Sequence, residues 1–519
     1  MNLMTKDDAA VVIGAGMGGL ATAIRLAAFG MRVTVIEAAD APGGKARAVP
    51  SAAGPVDTGP TVLTLRSVFD DLFALGGQRL DDHVTLIRQP ILARHWWEGS
   101  PTLDLFPEAE ANIEAIGAFA GPQEADAFAR FDRLSEALYQ AFDAPMMRAR
   151  RPDVKAIARA ALSQPRLWPA LMPGMNVERL LRQHFRDPRL VQLFARYATY
   201  VGGRPGHAPG VLALIWRAEA AGVWAVQGGM HSLAAALARL ATDLGVRFHY
   251  ATRARLIVQQ KGRVTGVEVE GGVTHPCTHC VFNGDPGALQ DGLLGPDARA
   301  ALPTRAAPKS LSAYVWAFAA KPHGPALLHH NVFFSQTPTA EFDPIGRGAL
   351  PEEPTLYICA QDRATAARPT GLERFEIIVN APPGAPPPLQ EADLCHSRTF
   401  PRLRAFDLLF SPEPGAMALT TPSHLAQLYP GSQGAIYGRS PEGLMASFQR
   451  PKAVTRMAGL YLAGGGTHPG AGVPMAALSG QHAAEAIMQG RISELKSGQT
   501  VTPGGMSTEF RRMGRAPSR

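Results

Sequence analysis

The apolar positions near the start of the chain change period and then change back. Ala9–Ile13 is an unbroken apolar run of strand length. Leu20, Ala23, Ile24, Ala27 and Ala28 then recur at helical spacing, and Arg32–Ile36 is a second short run closed by Glu37. Strand, helix and strand in that order predict a parallel βαβ unit, because parallel strands need a crossover. A related pattern returns near the other end, where an apolar run at 459–463 meets a glycine-rich turn and a helix predicted at 475–488.

Between these units the pattern is less regular. Residues 67–140 read mostly as helices, interrupted by strands at 92–97 and 103–106 that Glu98-Gly-Ser-Pro would join. Residues 108–142 read as helical, with Phe119, Phe128, Phe131, Leu134 and Leu138 on buried faces. A helix is predicted at 232–244 and a strand at 246–250. A hairpin of 256–260 and 264–269 follows, turning at Lys261-Gly-Arg263, and then a strand at 280–283. Residues 286–440 are rich in Pro and Gly, with strands predicted at 311–319, 331–334, 354–359 and 374–380. The Pro-rich run 381–388 is expected to be a surface loop or linker, and 491–519 a disordered tail. The fold class predicted is α/β. A Rossmann-like dinucleotide domain is assembled from 1–66, 221–285 and 441–490, a mixed-sheet substrate domain from 67–106 and 286–440, and a helical subdomain from 107–220.

The chain has 519 residues, more than one core organises, and its 46% hydrophobic and 18% charged residues are ordinary for globular domains. The net charge of +7 is no dense basic stripe, so nucleic acid is not an expected partner. Basic residues do gather in 146–189. There Arg148, Arg150, Arg151, Lys155, Arg159, Arg166, Arg179, Arg182 and Arg186 interleave with Ile157, Leu162, Leu167, Trp168, Leu171 and Met172. Pro152, Pro165, Pro169 and Pro173 break the segment. Broken basic amphipathic helices carrying Trp suit a membrane–water interface. A membrane surface is therefore an expected partner, set against a solvated basic face over an ordinary core. Lys6, Asp7 and Asp8 precede the first strand with no secretory pattern, so the expected location is cytoplasmic and peripheral. Cys277, Cys280, Cys359 and Cys395 are too few for a disulfide scaffold, and the single C-x-x-C lacks the second pair of a zinc ribbon. Reduced cysteines and no metal are expected.

Gly14, Gly16 and Gly19 stand in the G-x-G-x-x-G spacing, with Gly18 among them. Gly14 permits the tight turn, Gly16 lets backbone approach a pyrophosphate, and Gly19 lets helix and strand pack closely. The helix start adds free N–H groups and the positive end of its dipole. Glu37 can accept from both ribose hydroxyls and disfavours a 2′-phosphate, so FAD or NAD is expected over NADP. The second glycine loop, Ala41-Pro-Gly-Gly-Lys-Ala-Arg47, favours FAD. Gly43 and Gly44 can expose N–H groups there, and Lys45 or Arg47 can bring charge to the pyrophosphate or flavin ring. Asp285, closing the strand at 280–283, is a further cofactor candidate. The glycine-lined, uncharged helix start near the C-terminus suits negative charge on a reduced flavin. His468 is the one catalytic candidate, and a turn histidine before Pro469 is the preferred reading.

Five stretches, VVIGAGMGGLATAIRLAAFGMRVTVIE, APGGKAR, DTGPTVLT, GVWAVQGGM and LYLAGGGTHPGAGVP, resemble the phytoene-type carotenoid desaturases, a branch of the FAD-dependent amine-oxidase-like fold. Within that family ARHWW, RYATYVGGRPG, NGDP, EEPTLYICAQDR and GSQGAIYGRSPEG look most like the bacterial 1-hydroxycarotenoid 3,4-desaturase branch. One departure is that general phytoene desaturases continue GVW toward Pro and Gly-Gly-Thr, where this chain has Ala225-Val-Gln-Gly-Gly-Met230. The resemblance implies an ADP-binding element of Gly14, Gly16, Gly19 and Glu37, and a second flavin loop of Gly43, Gly44, Lys45 and Arg47. It further implies that Gly59, Pro60 and Thr61 face the isoalloxazine, and that Gly465, Gly466, Gly472, Val473 and Pro474 form the C-terminal flavin motif.

The activity implied is insertion of a C3–C4 double bond into a 1-hydroxy or 1-methoxy acyclic carotenoid such as 1-hydroxyneurosporene. One hydrogen would leave as hydride to flavin N5 and the other as a proton. The setting implied is the inner (intracytoplasmic) membrane of a photosynthetic bacterium, with quinone or oxygen as electron acceptor. A buried polar group must read the C1 oxygen, and the sequence names none. Alternatives on the same fold are a phytoene, neurosporene or diapocarotenoid desaturase, a redox-neutral isomerase, a saturase, or an amine oxidase. A flavin-free prenyl-binding chaperone is the alternative from another class.

Overall fold

A computed structural model describes residues 9–498, apart from 304–306, 366, 368, 385–389 and 444. Residues Lys6 to Asp8, the second half of the expected linker at 381–388 and the tail beyond 498 lie outside the described residues. Where the tail was expected to begin, at 491, the C-terminal helix instead continues as Val473–Gly498.

The strand β1 (Ala9–Ile13) is the middle of a five-stranded parallel sheet, and α1 (Met17–Ala28) crosses over to its neighbour β2 (Arg32–Ile36). The other strands arrive from far along the chain: Arg247–His249 beside β2, then His279–Phe282 and Leu460–Leu462 on the other side of β1. Val12 lies level with Val35 on one side and Val281 on the other, and all three are buried. Burial on both faces is why these strands read as continuous apolar runs rather than alternating ones.

One face of this sheet is covered by α1, Met230–Asp243 and Val473–Gly498. Small residues let these helices approach backbone to backbone. A Cβ on Gly480 would stand 2.2 Å from the Gly18 carbonyl, and one on Gly18 would stand 2.6 Å from the Gly464 nitrogen. The other face carries the hairpin Ala254–Gln260 and Arg263–Val269, extended by Thr274–Pro276.

A second, mixed sheet runs in the order Leu409–Ser411, Ser312–His323, Glu373–Ala381, Leu356–Ala360, His330–Phe333, Ala93–Trp96 and Leu103–Leu105. Its pairs are antiparallel except for the parallel contact of His330–Phe333 with Ala93–Trp96. Side-chain alternation gives the sheet two characters. Trp316, Phe318, Ile358, Ile377 and Val379 pack with Phe400 and Leu403 of the helix Glu391–Arg404. Each such side chain contributes about 1.5–3 kcal/mol by burial. The residues between them, Ala313, Val315, Tyr357, Ile378 and Asn380, line a cavity.

The helical region departs from expectation at one point. Residues 108–142 are two helices, Ala109–Ala120 and Pro122–Phe142. Gly121 takes φ of +96°, outside the helical region, and Pro122 has no N–H to continue the ladder. Phe128, Phe131, Leu134 and Leu138 still share one core, joined by Phe185, Phe194, Tyr197 and Trp216. The basic segment is broken as expected, into Asp143–Arg148, Val154–Ser163, Trp168–Leu171 and Val177–His184. A short pairing of Leu86–Arg88 with Trp224–Val226 had no clear alternation to announce it. Among the described residues, no helix is long and apolar enough to cross a membrane.

The helix contact yields a paired test. Gly480→Ala is expected to lower stability by about 1–3 kcal/mol, since the new methyl meets backbone that cannot turn away. Gly490→Ala, on the same helix with nothing within 4 Å of its Cβ position, is expected to raise stability by about 0.5–1 kcal/mol. Thermal melts of both variants check the opposed signs.

Candidate active site

The turn between β1 and α1 is built for close approach. Gly14 has φ of +100°, and its N–H donates to the Ile36 carbonyl at 2.8 Å. Gly16 caps α1 without any side-chain hydrogen bond, and the first turn carries no acid, so its N–H groups remain available. A Cβ on Gly16 would come within 3.0 Å of Asn283 Nδ2, and one on Gly19 within 2.1 Å of the Gly14 carbonyl. Glu37, at the end of β2, accepts from the Ala15 N–H at 2.6 Å and the Ala39 N–H at 2.8 Å. Asn283 Nδ2 donates to the Gly14 carbonyl at 3.1 Å, while its Oδ1 is buried with no partner in the protein.

The second glycine loop lies against the first, with Gly16 and Gly43 bridged. Lys45 is enclosed beside it. Its Nζ donates to the Ile436 carbonyl at 2.5 Å and lies 5.3 Å from the Tyr429 ring centre. Burial is the main cause that lowers the Lys45 ammonium to about 8; Asp285 opposes it, and Lys309 and Arg450 add to it. Gly59 touches the same loop, since a Cβ there would stand 2.0 Å from the Lys45 carbonyl. The Gly59 N–H donates to Glu376 Oε1 at 2.6 Å. Asp57 accepts from the N–H groups of Met230 and His231, and burial pushes its carboxyl up to about 6. A Cβ on Gly229 would strike that carboxylate at 2.4 Å, so the DTGPT and QGGM stretches form one contact.

The C-terminal glycines close the other side. The helix Val473–Gly498 starts with no acid in its first turn. Arg450 is buried behind this loop, donating to the carbonyls of Tyr437 and Gly465 at 3.0 Å, and burial lowers its guanidinium to about 10. Asp285 caps the helix Pro286–Gln290 and pairs with Lys309 at 3.1 Å.

All three loops border one cavity of about 1000 Å³. Gly14, Gly16, Gly18 and Glu37 line it, as do Gly43, Gly44, Lys45, Gly59, Pro60 and Thr61. Asp285, Gly465, Gly466, Gly472, Val473 and Pro474 line it from the opposite side. Away from the glycine loops the lining turns apolar, with Phe142, Met146, Met147, Leu212, Leu214 and Ile215. Arg196, Tyr200, Glu219 and Tyr357 also line the cavity. The Tyr357 hydroxyl is 2.6 Å from Thr61 Oγ1 and 2.7 Å from His330 Nδ1.

Three candidates fall outside the lining. Gly19 is a packing glycine, as its contact with Gly14 requires. Arg47 is turned to Thr420 Oγ1 at 2.7 Å, so of the two basic residues of this loop only Lys45 lines the cavity. His468 is corrected as a catalytic candidate: it is buried, its Nε2 is bound to the Ala149 carbonyl at 2.8 Å, and its ring stacks on His482. The four cysteines are buried and unbonded to one another. Among the described residues, His329, His330 and Cys359 are the group whose ligand atoms lie close enough to hold an ion, within 4.8 Å. Nothing in their spacing along the chain announced them.

Sequence reasoning also missed Asn283, Arg450 and the cluster around Arg196. Glu219 had a signal, as an acid in the otherwise apolar run 211–226 apart from Arg217. The uncapped helix start, the glycine cradle, Glu37 and the unpartnered Asn283 oxygen together fit a flavin dinucleotide.

A family profile described as flavin containing amine oxidoreductase matches residues 17–317. The chain is 60% identical to the hydroxyneurosporene desaturase of Rhodobacter capsulatus, over 95% of this chain and 100% of that protein. It is 62% identical to the hydroxyneurosporene desaturase of Cereibacter sphaeroides, over 92% and 97%. Among solved structures, a putrescine oxidase redesigned in its cofactor binding shares the fold with a TM-score of 0.56 at 13% identity, covering 93% of this chain and 99% of that one.

A pyrophosphate held beside Lys45 would make cofactor affinity depend on pH. A bound pyrophosphate stabilises the charged ammonium, so FAD should bind most tightly below about 8, where Lys45 is already protonated. Above that, the dissociation constant is expected to rise by up to about tenfold per pH unit. Flavin fluorescence titrations from pH 7 to 10 check this, and Lys45→Met should bind more weakly with a flatter profile.

Proposed function

The chain belongs to the flavin-containing amine oxidoreductase family and is an FAD-dependent oxidoreductase; from that premise we propose that it desaturates acyclic carotenoids, introducing the C3–C4 double bond into a substrate oxygenated at C1. The observation that carries the proposal is that one cavity is lined both by the dinucleotide loops and by a large set of apolar side chains. The 60% identity to a hydroxyneurosporene desaturase across nearly the whole chain supports the choice of substrate.

FAD, when bound, supplies the two-electron acceptor for the hydrogen removed as hydride. The protein's own residues then have three tasks. Phe142, Met146, Leu212 and Ile215 hold a polyene and exclude water. The glycine loops and Lys45 fix the cofactor's phosphates and ring. Val315, Tyr357 and Ile378, level with one another on adjacent strands, form the wall against which the reacting end lies.

Purified protein with FAD in liposomes should convert 1-hydroxyneurosporene, with a bathochromic shift and a product two hydrogens lighter. Conversion of phytoene alone would place it with the general desaturases. A product of unchanged mass would make it an isomerase.

The proposal includes a peripheral position on the cytoplasmic face of the inner membrane, through 146–189. Val154, Leu162, Trp168 and Met172 are exposed there beside the exposed Lys155, Arg159 and Arg166. The same segment begins with Met146 and Met147 of the tunnel lining, so an apolar substrate has a short route from bilayer to cavity. Leu162→Ser combined with Trp168→Ser is expected to reduce flotation with anionic vesicles several-fold and to slow conversion of vesicle-borne substrate. Conversion of detergent-dispersed substrate should be unchanged.

A further inference from the structure

One cation on the cavity wall has donors that no acceptor in the protein satisfies. Arg196 is 8% exposed and lines the cavity, and its Nε and Nη2 are buried with no hydrogen-bond partner in the protein. Its guanidinium lies over the Tyr200 ring at 4.8 Å and the Tyr197 ring at 5.9 Å. Glu219, 4% exposed, completes the group, accepting from the Tyr197 hydroxyl at 2.9 Å. Buried cations normally have their donors satisfied, because a desolvated N–H left unpaired is unfavourable. Two such donors on a cavity wall call for an acceptor that comes from outside the protein.

We propose that Arg196 donates to the C1 oxygen of the carotenoid, with Tyr200 and Glu219 holding the guanidinium in place. This rests on the 3,4-desaturation reading. C1 is only two bonds from C3, so whatever binds its oxygen must stand beside the place where the hydride leaves. Arg196 lines the same cavity as Tyr357, whose hydroxyl is 2.6 Å from Thr61 Oγ1 in the stretch expected to face the flavin ring. The ligand class follows from the donors. An ether or a tertiary hydroxyl oxygen accepts from Arg196, and a hydroxyl can also donate to the acceptor side of the cluster. A hydrocarbon end offers nothing and leaves both N–H groups unpaired. The order of preference is therefore 1-hydroxy, then 1-methoxy, then unsubstituted.

The test uses the FAD-loaded enzyme in liposomes and compares kcat/KM for 1-hydroxyneurosporene and neurosporene in wild type and Arg196→Met. The wild-type profile tests the substrate reading by itself: failure to convert any C1-oxygenated carotenoid overturns that reading. The variant tests Arg196: the preference for the hydroxylated substrate should fall by roughly tenfold or more, with neurosporene conversion and flavin content retained. An equal fall on both substrates, an unchanged preference, or an altered flavin spectrum with preference intact overturns the assignment. If Arg196→Met does not fold, two measurements replace it. Arg196→Lys should keep part of the preference, and wild-type binding read from flavin absorbance should follow the stated order. Equal affinity for the three carotenoids overturns the proposal.

Discussion

The active site depends on backbone meeting backbone where the two ends of the chain come together. Gly18 on the first helix and Gly480 on the last leave no room for a Cβ, and Gly464 and Asn283 fill the space beside them. Because the two helices meet this closely, both of their starts, neither with an acid in its first turn, border the same cavity. A larger residue at either glycine would move one helix start relative to the other, and with it the loops that both helices carry.

The cavity's two halves are made by different physics. In the glycine half, burial brings Lys45, Lys309 and Arg450 near one another with Asp285 as the nearby acid, which lowers Lys45 and Arg450 alike. The result is a positive field awaiting an anion, which is what a dinucleotide provides. In the apolar half, the period-two alternation of the mixed sheet sends one set of side chains to the helix Glu391–Arg404 and the other to the tunnel. Arg196 lines the same cavity.

Much of the fold was legible because its signals are local. The continuous apolar runs of the parallel strands, the glycine spacing, Glu37 and the hairpin turning at Lys261-Gly262 are each set by a few adjacent residues. The break at Gly121 was lost because apolar spacing continues across it and only the backbone changes direction. The cluster of Arg196, Tyr200 and Glu219 was illegible for another reason. Arg196 and Tyr200 share the short helix Arg196–Val201, but Glu219 comes from Leu214–Ala220, and the contact of Phe194 with Trp216 ties the two elements together. His468 shows the converse, since a histidine inside a glycine motif looks chemical until the Ala149 carbonyl takes its nitrogen.

Chain order has a consequence for how the site is assembled. The parallel sheet takes its outer strand from Leu460–Leu462, and the glycine cradle needs the helix that starts at Val473. The cavity wall is therefore incomplete in any chain that stops short of the segment 464–476, even though Gly14, Gly16 and the loop residues Gly43, Gly44 and Lys45 are then already made. The cofactor cradle is in this sense a long-range product, closed only when segments about 450 residues apart in sequence have packed together.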